Sequence, residues 1–507
     1  MTEFSLSSLL AADVDPVQAG VQLQQLGADP ELSAPGLLDQ LDQHSAELPL
    51  ADPAIVAALL RLLHSRALHA GEATIKGLDL AKIRTVLEAM RPVTPNLYLI
   101  QHLLAVQQTE ASLEFLCESL SLAPPQNWMH AGQVLSPLMQ HHQWPVQAIF
   151  PAILQSLSEP STAATVLDLA NFLQRTGRTA THVATDQLAM LNHLLGEVSH
   201  RLAQFEENPR VFGDEVSEVQ DRLGEAVALC VSLCDALGLI GDASSIAKLR
   251  NTIDLKHRRV QCEAAGALAQ LGEVLGRERL LELTAEPAAR RRAIQYADEL
   301  QFGDEVDPSY RTEQATAEAD LALWLTQPQQ MGVPPTSLEV IETRRLLWPS
   351  FNDPIDVHLV RFEYSFGDRQ YSNVGIAGPV TFSMSADVAD LPVDDIFAIY
   401  AGWHAEHDEI FAIQSDHFND AQKRQVEHLQ KHLDRLGYDS CKPVLLGFFL
   451  DEQAAVFEAT RDQTSCLVIT DGLETMDQVT AGRPRPLTPA DLFHLYKGRK
   501  MLRTFNS

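Results

Sequence analysis

The stretch RVQCEAAGALAQLGE, Arg259 to Glu273, decides how this chain is read. Ala264, Ala265, Gly266, Ala267 and Ala269 stand where most soluble helices carry large apolar or charged side chains. A helix with so small a face lets another backbone approach closely, and a close-packed interior gains many weak dispersion contacts from that approach. The segment reads as a packing face.

Sliding the chain along itself shows what it packs against. At an offset of 31, ALGLIGD (Ala236 to Asp242) lies over ALAQLGE (Ala267 to Glu273), matching Leu237 with Leu268, Ile240 with Leu271 and Gly241 with Gly272. Leu249 then matches Leu280, and Phe302, Gly303 and Asp304 give a fainter third copy. Such self-similarity marks a repeated helical hairpin that buries its apolar face only by stacking on its neighbours.

Upstream, the pattern is helix after helix. Asp52 and Pro53 open DPAIVAALLRLLHS as N-cap and first helical residue, and Thr94 with Pro95 repeats the device before NLYLIQHLLAV. EASLEFLCESLSL, PVQAIFPAILQSL and AATVLDLANFLQRTG are further helical stretches. Residues 1–326 are thus predicted to form a helical repeat domain.

At this point DLKHRRVQCEAAGALAQLGE resembles the short HEAT-type repeat of phycobilisome-lyase-like proteins: an acid, then an arginine, then an Ala-rich helix ending in Leu-Gly. The clear resemblance covers about residues 224–304. It implies a HEAT/armadillo-like α-solenoid, with Asp254 and Arg259, and Glu286 and Arg291, in a ladder between layers.

After a linker at 327–337 the period changes. VRFEYSF alternates Val360, Phe362, Tyr364 and Phe366 against polar neighbours, Gly367-Asp368 offers a turn, and PVLLGFFLDEQAAVFEAT and SCLVIT supply more strands. Two helices lie between them and a last one starts at Thr488-Pro489, so residues 338–507 read as a smaller α+β domain. The expected fold class is mainly α.

Candidate sites are few. In GWHAEHDEIF, His404 and His407 are three apart and would share a helix face and a metal, with Asp408 nearby and His417 beyond. The spacing is not that of a metalloprotease helix. His428 and His432 read as solvated, and adjacent His141 and His142 point to different faces. Gly375 and Gly378 lack the lysine and helix of a phosphate loop and read as a turn or bulge between strands. The six cysteines, including Cys441 and Cys466, form no paired motif and read as reduced and buried. Lys248, Lys256, Arg258, Arg259, Arg277, Arg279, Arg290, Arg291 and Arg292 cluster in an otherwise acidic chain. Repeat geometry would set Arg258 and Arg259 beside Arg290 and Arg291 as a ridge gripping an acidic partner segment or the acidic remainder of this same chain, or else commit these arginines to salt bridges between layers.

The 507 residues carry 38 Lys and Arg against 68 Asp and Glu, a formal charge of −30. That balance opposes binding to a phosphate backbone. The start MTEFSLSSLLAADVDP lacks a basic, then apolar, secretory pattern, and no later run reads as long and uncharged enough to cross a bilayer, so a cytoplasmic protein without a membrane or nucleic-acid partner is expected. No cofactor is implied by any motif. The reading is a non-catalytic scaffold or adaptor binding another protein through its repeats; the alternatives are a tetrapyrrole-handling or protein-modifying role, implied by the lyase-like resemblance, and a metal site in the C-terminal domain.

Overall fold

The computed structural model describes all residues except 1–5, 12–13, 91–95, 141–142, 328, 406, 450, 480–481, 483–484 and 507. Thr94, Pro95, His141 and His142 therefore lie outside the described residues. The chain is mainly helical and divides into two compact units, Met1–Leu280 and Leu281–Ser507.

In the first unit a central row of helices runs Pro53–Ala70, Leu97–Gln107, Trp128–Gln140, Pro160–Arg175, Val216–Ile240 and Arg258–Gln270, each packed on the one before and after. Leu80–Met90, Glu110–Leu122, Leu188–Glu207 and Ile246–Ile253 flank the row. Asp52 caps its helix through the Ala54 amide at 2.7 Å with Pro53 following, as the sequence predicts. PVQAIFPAILQSL does not form the expected helix. It gives two 3₁₀ segments, Val146–Ala148 and Ala152–Ser158, separated at Pro151, which has no amide to donate.

The small face behaves as its composition dictates. Val260 to Leu268 are all buried. A Cβ on Gly276 would stand 2.5 Å from Ala265 O and 2.7 Å from Leu268 Cβ, and one on Gly238 would stand 3.0 Å from Ala267 Cα. The preceding and following helices thus approach the alanines at distances only glycine permits. Gly241 and Gly272, 31 residues apart, both follow helices with positive φ, 79° and 82°. Near Gly303 it is Gln301, φ 64°, that takes the left-handed conformation, two residues earlier.

Polar pairs join helices of this unit. His64 Nε2 and His102 Nδ1 share a 3.1 Å hydrogen bond between neighbouring helices, both rings buried. Lys82–Asp39, Arg84–Glu118 and Arg175–Asp235 join elements far apart in sequence. The Val216–Ile240 helix corrects one expectation: among the described residues it alone is long and apolar enough to cross a bilayer. More than half of its apolar window is buried, on its row neighbours and on Leu188–Glu207.

The second unit is layered. Strands β1 (Ser337–Leu346), β2 (Ile355–Phe366), β3 (Arg369–Ala377) and β4 (Phe382–Ser383) make one antiparallel sheet in that order. Strands β5 (Phe411–Gln414), β6 (Asp439–Phe449), β7 (Glu452–Arg461), β8 (Thr464–Thr470) and β9 (Thr475–Val479) make a second. The period-two pattern of β2 works on both faces: Val360, Phe362 and Tyr364 pack on Ala317, Leu321 and Leu325 of the Glu313–Leu325 helix. Val357 and Leu359 turn instead to a core holding the Val393–His404 and Pro489–Phe505 helices. The far side of that core is Leu445, Val456 and Ile469 of the second sheet, whose outer face is covered by Val426, Leu429 and Leu433 of Asp420–Arg435. Helix, sheet, helix pair, sheet and helix follow one another. The Glu313–Leu325 helix, which the sequence places in the helical repeat domain, is the outer layer here.

The two middle helices cross where glycine faces glycine. A Cβ on Gly498 would lie 2.6 Å from Ala398 C and 2.9 Å from Gly402 N. Asp395 and Arg499 close the other end with a bidentate pair, 2.6 Å on each arm.

Candidate functional site

The basic cluster is divided between the two compact units. Arg258 and Arg259 begin the Arg258–Gln270 helix in the first unit, where Arg258 Nη1 donates to Gln261 Oε1 at 2.9 Å and Arg259 is exposed. Arg290 and Arg291 lie in the second unit, and Arg290 is interior, 4% exposed. Its guanidinium donates to Thr284 O at 2.9 Å, Ala315 O at 2.6 Å, Ala285 O at 3.3 Å and Glu318 at 2.9 Å. That corrects its reading as a partner-binding residue: its fork joins the end of one helix to the start of another. Arg291 pairs with Asp320. Both acids sit on the next helix of the chain, whereas the resemblance paired Arg291 with Glu286.

The histidine pair is also rearranged. The helix ends at His404, so His407 falls beyond it and the two do not share a helical face. His404 stacks toward Phe351 with ring centroids 6.2 Å apart, while His407 is exposed and its Nδ1 accepts from the Glu409 amide at 3.3 Å. Among the described residues no group of three His, Cys, Asp or Glu side chains is placed to hold a metal. The cysteines are buried, and burial pushes Cys117 up to about 12 and Cys441 to about 11, far from thiolate reactivity. Gly378 turns the chain with φ 128°, as the turn reading requires.

What the fold does build is a cleft of about 510 Å³ at the end of the Val393–His404 helix, between the loop that follows it, β5 and the Pro489–Phe505 helix. His494 and Lys497, one helical turn apart, line it, and Asp491 a turn before them holds Trp403. Asp491, which also caps its own helix through Thr488, accepts from the Trp403 indole N–H at 3.2 Å. His494 stacks on Trp403 at 4.1 Å between centroids and shares a 3.1 Å hydrogen bond with Gly402 O through Nδ1. A carbonyl only accepts, so Nδ1 carries the proton and Nε2 is the acceptor nitrogen. Lys497, 1% exposed, donates to Ala405 O at 3.2 Å, at the helix C-terminus where the dipole favours a cation.

Burial, and then the Lys497 charge, hold His494 down at about 4, so the ring is neutral at physiological pH. Apolar side chains of the wall include Ile410, Phe411, Ala412, Leu445 and Phe493. Trp403 and Phe411 are 39% and 48% exposed. Apolar walls with a few oriented polar groups suit recognition.

Of the sequence candidates, His407 and Asp408 line this cleft and His404 does not. The residues missed were His494 and Lys497. A lysine on the apolar stripe of LFHLYKG was the available signal, because lysine is almost never fully buried without a partner.

Comparison with protein-family models, characterised proteins and solved structures gives no match for this chain.

Proposed function

We propose that this is a non-catalytic, cytoplasmic scaffold or adaptor whose N-terminal unit is a HEAT-like α-solenoid that binds another protein. The observation carrying the reading is the central row in which helices touch chiefly their neighbours before and after, with glycine and alanine at the closest junction. A row of this kind grows by adding layers and offers an extended surface rather than one pocket. Met129, Val211 and Val216 leave apolar side chains 56%, 46% and 73% exposed on that unit, and the charge of −30 favours a basic partner.

The test uses the full chain. Cross-linking followed by mass spectrometry on complexes captured from native lysate should give one stoichiometric partner whose cross-links fall within residues 1–280. Background proteins alone, or a partner linked only to residues 281–507, would overturn the reading.

A further inference from the structure

Strand β5 is the outermost strand of its sheet and among the described residues is bonded on one side only, to β6, through Phe411↔Phe448, Ala412↔Gly447, Ile413↔Leu446 and Gln414↔Leu445. Phe411, Ala412 and Gln414 are exposed. Phe411, Ala412 and Gln414 of the strand line the cleft, with Ile410 just before it. The cleft borders β5 and Leu445 of β6, and the edge of β5 away from β6 keeps backbone groups that β6 does not use. An edge of this sort is a template for another strand, and four residues is short enough to avoid indiscriminate pairing.

The chemistry beside the edge restricts the occupant. Phe411 stacks on Phe448 at 4.7 Å, and Trp403, Leu445 and Phe493 complete an apolar hollow next to it. Acids stand at both ends of the strand: Asp408 and Glu409 precede it and Asp416, hydrogen-bonded to His417 at 2.7 Å, follows it, all exposed. The lysine that lines the cleft, Lys497, is sunk in the wall and bonded to Ala405 O. An apolar strand flanked by cations matches this arrangement, and an acidic segment would meet like charge at either end.

We propose that the open edge of β5 and the adjoining cleft receive an extended basic–apolar peptide segment of another protein, which adds as a sixth strand and seats one apolar side chain against Trp403 and Phe493. Main-chain hydrogen bonds to β5 supply the pairing, and the hollow selects the inserted residue. This site lies wholly in the second unit and is independent of the helical surface.

The test is a titration of the full chain with synthetic peptides. The probe is a Val-Leu-Val core between two lysine pairs; the comparisons are the same core between glutamate pairs and a core with proline at its centre. The expected results are slowed hydrogen exchange at Phe411–Gln414 and quenching of tryptophan fluorescence that is lost in Trp403→Phe. Binding should be at least about tenfold weaker for the glutamate and proline peptides. Asp408→Lys should weaken the lysine peptide while leaving the melting temperature unchanged. Equal binding of the glutamate peptide, or no protection at β5, would overturn the proposal. Concentration-dependent dimerisation that protects β5 without peptide would also overturn it, by assigning the edge to a second copy of the chain.

Discussion

The buried histidine pair gives a stability switch whose size follows from its surroundings. Burial, with a smaller contribution from the neighbouring His64 charge, holds His102 at about 4 against an ordinary 6.5, and burial lowers His64 as well. The folded state therefore resists protons that the unfolded chain accepts, so stability is fully present above pH 6.5 and is lost as pH falls toward 4. At pH 5, His102 alone removes about 2 kcal/mol relative to pH 8. His102→Gln keeps a carbonyl that accepts from His64 and removes one titrating ring. Hydrogen exchange of peptides spanning Leu97–Gln107, corrected for the intrinsic rate at each pH, reads local stability without requiring the two units to unfold together. The variant should be weaker than the parent at pH 7.5, by about 1 kcal/mol for an imperfect fit, and should lose about 2 kcal/mol less on going to pH 5. Parallel curves at all pH values would refute the argument, because they would mean His102 binds protons equally in both states.

Arg290→Ala should lower the stability of the second unit by about 3 kcal/mol, measured by urea unfolding, since it strands Glu318 and three carbonyls; loss of partner binding with stability intact would return Arg290 to the surface role. Gly498→Ala should destabilise the same unit by on the order of 3 kcal/mol, because the new methyl meets the Ala398 backbone, and a neutral result would contradict the close crossing. Gly276→Ala tests the small face in the same way in the first unit, with an expected loss of about 2 kcal/mol in thermal unfolding. The six buried thiols should react with a thiol reagent at pH 8 only after denaturant is added, and rapid labelling of the native chain would refute their inert assignment.

Local patterns in the sequence carried much of the architecture. The Asp52-Pro53 cap, the alternation of Val360, Phe362 and Tyr364, and the paired Gly241 and Gly272 each state a constraint within a few residues, and backbone geometry obeys it wherever the neighbours agree. Distance along the chain hid the rest. Nothing near Arg290 says that Ala315 O and Glu318 will surround it, and nothing near His404 says that its helix ends there and leaves His407 in a loop. The cleft was least legible, because Trp403 and His494 lie far apart in sequence and meet only because two glycines let their helices cross. Helices and strands follow from periodicity, which is local; burial, hydrogen-bond partners and the open edge of β5 follow from which elements the whole chain brings side by side.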